Sequence, residues 1–137
     1  MTRALAPDRA RARRLRTTAG LTALVLLAAG LLGLLALLVP WLPGFSLLQS
    51  VLYVAAGAWG WNLARSTPGA QRFLIATGCG ALVLWLLGVF VPGPGAENLL
   101  GLDGVDNLLH LGLGIALLLI GSGAFSSARD DEPTPNP

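Results

Sequence analysis

The single histidine of the chain, His110, stands near the start of a long apolar run and follows two polar residues at helical spacing. Asp106 lies four residues before it and Asn107 three, so the three side chains share one face of a helix. Such a stripe can relay protons, ligate a metal ion or join helices by hydrogen bonds. We expect a set of hydrogen bonds that joins helices, with His110 bonded to Asp106 or across the bundle to Tyr53, Gln49 or Ser50. We predict no enzymatic activity, no catalytic residue, no metal site and no cofactor, since a bis-imidazole haem needs two histidines.

An earlier segment repeats the spacing of this stripe. The aligned residues are Gln49 with Asp106, Ser50 with Asn107, Tyr53 with His110, and Gly57 with Gly114. The preceding segments, 34–44 and 86–95, both pass from leucines into a proline-glycine string, with Pro40 aligned to Pro92. The pattern predicts a duplicated helical hairpin whose copies are related by an axis along the membrane normal. The candidate polar cluster therefore consists of Asp106, Asn107, His110, Tyr53, Gln49 and Ser50.

Composition identifies the kind of fold that must position these residues. Of 137 residues, 54% are hydrophobic and 12% are charged, whereas a soluble domain carries about 25% charged residues. Charge-free tracts alternate with short charged junctions, as in spans that cross a hydrocarbon core of about 30 Å. We predict an all-α membrane protein, a bundle of four transmembrane helices. Its expected spans are 17–39, 46–64, 70 or 73 to 91, and 103–125, with Asp103 as the cap of the last.

These spans divide the chain into three parts. Residues 1–16 form a basic cytoplasmic arm, residues 17–125 the membrane domain, and residues 126–137 a polar, proline-rich tail that we expect to be disordered. Every arginine falls on the amino-terminal side of the predicted bundle, and the two opposite loops carry no cation. The positive-inside rule then predicts cytoplasmic termini in a bacterial cell membrane. The topology determinants are Arg9, Arg11, Arg13, Arg14, Arg16, Arg65 and Arg72.

The basic arm has three interpretations: a nucleic-acid-binding segment, the start of a signal peptide, or an anchor for the first span. The run 17–39 is longer than the about 7 to 15 apolar residues of a signal core, and no A-x-A cleavage pattern closes it. Arginines beside a span also attract anionic lipid, at about 1 kcal/mol each. We therefore predict the bilayer and anionic lipid head groups as partners, and no nucleic acid. A membrane-protein partner or a homo-oligomer remains open.

The motif Asp106-Asn107-x-x-His110-x-x-x-Gly114, with the proline-glycine loop before it and the weaker earlier copy, carries a family resemblance. It resembles a bacterial family of four-span membrane proteins catalogued as domain of unknown function 4383, over residues 17–125. The resemblance implies the fold and the membrane location, and it implies no biochemical activity. The family usually carries a histidine in the first hairpin at the place of Tyr53, so this chain departs from the family pattern there.

Three classes of function fit these observations. The favoured one is a structural or accessory membrane component that acts through lipid or partner-protein contacts. The alternative is a small transporter or channel subunit that uses the Asp106/His110 polar stripe. A transport path needs polar residues across the whole membrane, yet spans one and three offer essentially only Thr22 and Thr77. The third class is a haem or metal carrier, for which an oligomer would have to supply the second histidine.

Overall fold

The computed structural model describes residues 5–39, 46–90 and 104–123. These residues form four helices: α1 (Leu5–Ala36), α2 (Leu47–Leu63), α3 (Thr67–Phe90) and α4 (Gly104–Ser122). The all-helical architecture expected from the sequence is confirmed for this part of the chain. The predicted Asp103 cap, the two proline-glycine strings and the predicted disordered tail lie outside the described residues.

Helix α1 begins twelve residues before the predicted first span. It runs for 32 residues, or about 48 Å at 1.5 Å per residue, so it exceeds a hydrocarbon core of about 30 Å. Alanine and arginine are strong helix formers, and Pro7 lies in the first turn, where no backbone N–H partner is needed. The arginine-rich segment is therefore the first part of α1 over its described residues. The helix also ends at Ala36 rather than at Val39, in three turn-type hydrogen bonds.

The helices pack as two antiparallel pairs, α1 with α2 and α3 with α4, and α1 also contacts α3. Glycines set the closest approaches. A Cβ built on Gly57 of α2 would lie 2.7 Å from the Leu27 nitrogen and 2.8 Å from the Ala23 carbonyl oxygen of α1. A Cβ on Gly114 of α4 would lie 3.1 Å from the carbonyl oxygen of Gly78 in α3. Small residues thus let backbones meet, which is how helices associate in lipid.

A compact apolar core lies towards the end of the bundle that holds the arginines. Phe73 and Leu74 of α3 are fully buried there. Phe73 occupies the space that a side chain on Gly60 would need, and its ring meets Trp59 edge-on with centroids 5.8 Å apart. The other buried members of this core are Leu15, Ala19, Ala23, Leu26, Ala70 and Leu117.

Most large apolar side chains lie outside this core. Leu38 and Phe90 are 81% and 78% exposed, and leucines and valines along all four helices are exposed with them. Three segments, Asp8–Ala36, Thr67–Phe90 and Gly104–Ser122, are long and apolar enough to cross a membrane. Helix α2, with 17 residues, is about 26 Å long. An apolar exterior over long apolar helices is typical of an integral membrane protein.

The described arginines all lie at one end of the bundle, where α1 starts and α2 ends. Arg16 donates from Nε to the carbonyl oxygen of Ala64 at 3.4 Å, which caps the carboxyl end of α2. The guanidinium of Arg11 lies against Gly123, just beyond the end of α4. Cations at helix carboxyl ends oppose the negative pole of the helix dipole. Two arginines of the predicted arm therefore contact the ends of other helices.

We predict that Gly57→Ala destabilises the bundle by about 1–3 kcal/mol, because the new methyl group would meet the α1 backbone, which cannot move aside cheaply. The matched control is Gly80→Ala, since a Cβ on Gly80 has no neighbour within 4 Å. It should be neutral or slightly stabilising, because alanine is the better helix former. Unfolding of the purified protein in detergent measures both. Equal effects of the two substitutions would contradict the packing described for Gly57.

Candidate functional site

The first turn of α2 is arranged by Ser46, which stands immediately before the helix. Ser46 is the N-cap: its backbone is extended, and its Oγ atom accepts a hydrogen bond from the main-chain N–H of Gln49 at 3.2 Å. The Ser50 hydroxyl in turn donates to the Ser46 carbonyl oxygen at 2.9 Å. Both Gln49 and Ser50 are fully buried. Ser50 is thus satisfied within its own helix, and the candidate cluster uses Gln49 and Tyr53 from α2.

Tyr53 and His110 join the two helical pairs. The Tyr53 Oη atom lies 2.9 Å from His110 Nε2, and the two rings are tilted by 44° with centroids 6.4 Å apart. His110 is 5% exposed. Each residue lies six positions after the start of its helix, about 9 Å along the axis, so the two side chains stand at matching depths. The hydrogen bond connects α2 of one pair with α4 of the other.

The donors and acceptors of this cluster follow from one backbone oxygen. His110 Nδ1 lies 2.7 Å from the Asp106 carbonyl oxygen, which can only accept, so Nδ1 carries a proton. In a neutral imidazole Nε2 is then the acceptor, and the Tyr53 hydroxyl must donate to it. The Tyr53 oxygen accepts a hydrogen bond from the side-chain amide of Gln49, whose Nε2 atom lies 3.0 Å away. The chain of donation runs from Gln49 to Tyr53, His110 and the α4 backbone.

This order also fixes the orientation of the Gln49 carboxamide. If its oxygen faced Tyr53, two acceptors would compete for one hydroxyl proton, and His110 Nε2 or Gln49 Oε1 would lose its donor. The amide nitrogen therefore faces Tyr53, and Oε1 is a buried acceptor with no hydrogen-bond partner among the described residues. Each group in the series from Gln49 Nε2 to the Asp106 carbonyl therefore has a hydrogen-bond partner, and Gln49 Oε1 is the acceptor left outside the series.

Asp106 and Asn107 contribute to the site in different ways. Asp106 serves His110 through its main-chain carbonyl, so the expected bond to Asp106 exists without the carboxylate. Asn107 packs against α3 instead, where a Cβ on Gly88 would overlap its carboxamide. Its Oδ1 atom is buried and has no hydrogen-bond partner in the described part of the chain. Side-chain hydrogen bonds thus join Gln49, Tyr53 and His110. Asn107 lies nearby in α4, but its side chain packs against α3.

Two residues of this site were missed by the sequence reasoning. Ser46 has a recognisable signal, because serine directly before an apolar helix is a common N-cap. Gly88 has no such signal, because no spacing rule links it to Asn107 and their contact depends on where α3 and α4 cross.

The chemistry open to this cluster is limited by its existing bonds. Both imidazole nitrogens of His110 are engaged, one with Tyr53 and one with the α4 backbone. Within residues 5–39, 46–90 and 104–123, no three histidine, cysteine, aspartate or glutamate residues are grouped to hold a metal ion. A ligand for the imidazole would have to displace one of these hydrogen bonds.

Over residues 5–39, 46–90 and 104–123 the chain forms four helices, three of them long and apolar enough to cross a membrane, with a hydrogen-bonded cluster between them, and these features are those of a helical integral membrane protein. The chain belongs to the family described as Domain of unknown function (DUF4383), whose model matches residues 41–122. The family resemblance is thereby confirmed, over α2 to α4 rather than over the whole of residues 17–125. Comparisons with curated proteins and with solved structures give no match.

We predict that His110→Leu lowers stability by about 0.5–2 kcal/mol, the usual range for hydrogen bonds between membrane helices, while insertion into the membrane is retained. His110→Gln keeps a donor and an acceptor and should recover much of the loss. Tyr53→Phe removes the same bond from the other side, so its effect and that of His110→Leu should be less than additive.

The measurement is a double-mutant cycle of unfolding free energies in detergent. Ser50→Ala is the matched control, because it removes a buried hydroxyl that bonds only within α2. Strictly additive effects of Tyr53→Phe and His110→Leu would show that the two side chains do not stabilise each other.

Proposed function

We propose that this chain is a four-span protein of the cell membrane, with both termini in the cytoplasm, that acts as a structural or accessory component through lipid or partner-protein contacts. The observation that carries the proposal is the division of its surfaces. Polar side chains of the cluster are used between the helices, while large apolar side chains are exposed around the bundle. The surface available for contacts is therefore apolar along its length and cationic at one end.

Helix α2 supplies the fourth span in this proposal. It is shorter than the others, but it packs antiparallel along α1, with Gly57 and Gly30 in the contact. Ser46 and Arg65 flank its apolar run, the arginine on the end where the other described arginines lie. An even number of spans places both chain ends with those arginines, and the positive-inside rule assigns that side to the cytoplasm.

The two helical pairs fit an internal duplication. Gly57 and its proposed counterpart Gly114 both contact the first helix of their own pair, at Ala23 and at Gly78. The contacts make Ala23 equivalent to Gly78, whereas the alignment of Pro40 with Pro92 would make it equivalent to Ile75, three residues earlier. The counterparts Tyr53 and His110 hydrogen-bond to each other, as expected for equivalent residues near a twofold axis.

A transporter or channel subunit is the second candidate. It is favoured by one observation, the buried acceptors Gln49 Oε1 and Asn107 Oδ1, which suit a ligand that donates hydrogen bonds. Against it, the described polar cluster is followed towards the arginine end by the apolar core around Phe73, against which Tyr53 packs. A haem or metal carrier is disfavoured because both nitrogens of His110 are engaged. No catalytic activity is part of the proposal.

Topology is tested by labelling with a membrane-impermeant maleimide. Cys79 is exposed, so the background must be Cys79→Ser. We predict that a cysteine introduced at Asn98 is labelled in intact cells, after permeation of any outer barrier, and that one introduced at Ser127 is labelled only once the cytoplasm is opened. The reverse pattern, or labelling of both positions from the same side, would overturn the four-span orientation.

The accessory role is tested against transport in proteoliposomes. We predict that the wild-type protein dissipates proton and sodium gradients no faster than the His110→Leu variant or protein-free vesicles. A wild-type flux that His110→Leu and His110→Gln both abolish would favour the transporter. Purification from native membranes in mild detergent tests the same role directly, since an accessory component should retain a stoichiometric partner or bound lipid.

A further inference from the structure

The cations at the arginine end of the bundle have different surroundings. Arg11 lies against Gly123, and Arg16 is bonded to the carboxyl end of α2. All the described arginines of α1 are exposed. Arg16 differs from Arg9, Arg13 and Arg14 because it donates a hydrogen bond to the end of α2.

The bond to α2 attaches Arg16 to the helix end from which the chain continues to Arg65. Its acceptor, the Ala64 carbonyl, belongs to the residue that directly precedes Arg65. Both arginine side chains are exposed, and neither forms an ion pair with a described carboxylate. The nearest acid along α1 is Asp8, which lies eight residues away, about 12 Å along the axis. Two positive charges thus share one corner of the bundle, where an anion between them would relieve their repulsion.

The depth of this corner matches a lipid head group. From Arg16 to the end of α1 at Ala36 the helix covers about 30 Å, which is the thickness of the hydrocarbon core. Arg16 therefore stands at the boundary where phospholipid phosphates lie. Exposed leucines of α1, including Leu21 and Leu24, follow on the hydrocarbon side and can contact acyl chains. Charge and depth together select a lipid phosphate over a soluble one.

We propose that Arg16 and Arg65 form a binding site for the phosphate of an anionic phospholipid. Nε of Arg16 is committed to Ala64, which leaves the terminal nitrogens of its guanidinium to donate to phosphate oxygens. Arg65 supplies the second guanidinium from the turn between α2 and α3. The inference rests on the lipid contacts of the proposed function and names the residues that make one of them. Arg9, Arg13 and Arg14 add an attraction that is not specific to one site.

The test is native mass spectrometry of the full-length protein released from detergent and titrated with phosphatidylglycerol or phosphatidylcholine. The variant is Arg16→Gln with Arg65→Gln, and the matched control is Arg9→Gln with Arg13→Gln, which removes the same charge from exposed positions of α1. We expect the first pair to weaken phosphatidylglycerol binding about tenfold and the control pair to weaken it much less. Arg65→Gln alone, which leaves the Arg16 bond to α2 intact, should give an intermediate loss and guards against misfolding of the double variant.

Three outcomes would overturn the site. Equal losses in the variant and the control would mean attraction by total charge, and unchanged binding in the variant would remove both arginines from lipid recognition. Competition by millimolar inorganic phosphate would assign the corner to a soluble phosphate. None of these outcomes refutes the proposed accessory function, provided that the wild-type protein still prefers phosphatidylglycerol to phosphatidylcholine or retains a partner. Loss of both properties in the wild type would instead refute the proposed function.

Discussion

A carbonyl oxygen can accept hydrogen bonds but cannot donate them, so the carbonyl of Asp106 requires a proton on His110 Nδ1. With a neutral imidazole, this proton makes Nε2 an acceptor and so sets the direction of the Tyr53 hydroxyl and the orientation of the Gln49 amide. Inside a bilayer, breaking one of these hydrogen bonds costs free energy, because a polar group has few alternative partners there. The cluster links two helical pairs only while all three side chains keep these roles.

The two ends of the bundle are held together by different interactions. At the arginine end, Phe73 fills the space beside Gly60, and Arg16 caps α2. Nearer the other end, Tyr53 and His110 provide a directional hydrogen bond, and Tyr53 also packs against the apolar core. Helix packing in lipid gains little from apolar burial as such, so close contact and polar bonds both contribute. Close helix packing occurs at both ends, since Gly30 lies against α2 and Gly88 against Asn107 away from the arginines, and the Tyr53–His110 bond joins α2 to α4.

Much of the fold could be predicted from the sequence, because apolar runs, arginine placement and breaker residues have direct structural meaning. The start of α1 could not, since a run of arginine and alanine suits both a helix and a solvated arm. The Tyr53–His110 pairing was among the alternatives. The sequence also named Asp106 as a partner of His110 but did not indicate the atom: helical side chains lean towards the preceding turn, which brings the imidazole over the carbonyl four residues earlier. The contact of Asn107 with Gly88 depends on where α3 and α4 cross, which no local sequence pattern encodes.

The pairing of each helix with its neighbour in sequence has a consequence for how the molecule assembles. Since α1 contacts mainly α2, and α3 mainly α4, most close contacts between helices join elements that follow each other in sequence. Such local contacts have a low cost in chain entropy, because little chain must be ordered to bring the two helices together. The bond between Tyr53 and His110 spans 57 positions, so it requires elements of both pairs to be in place.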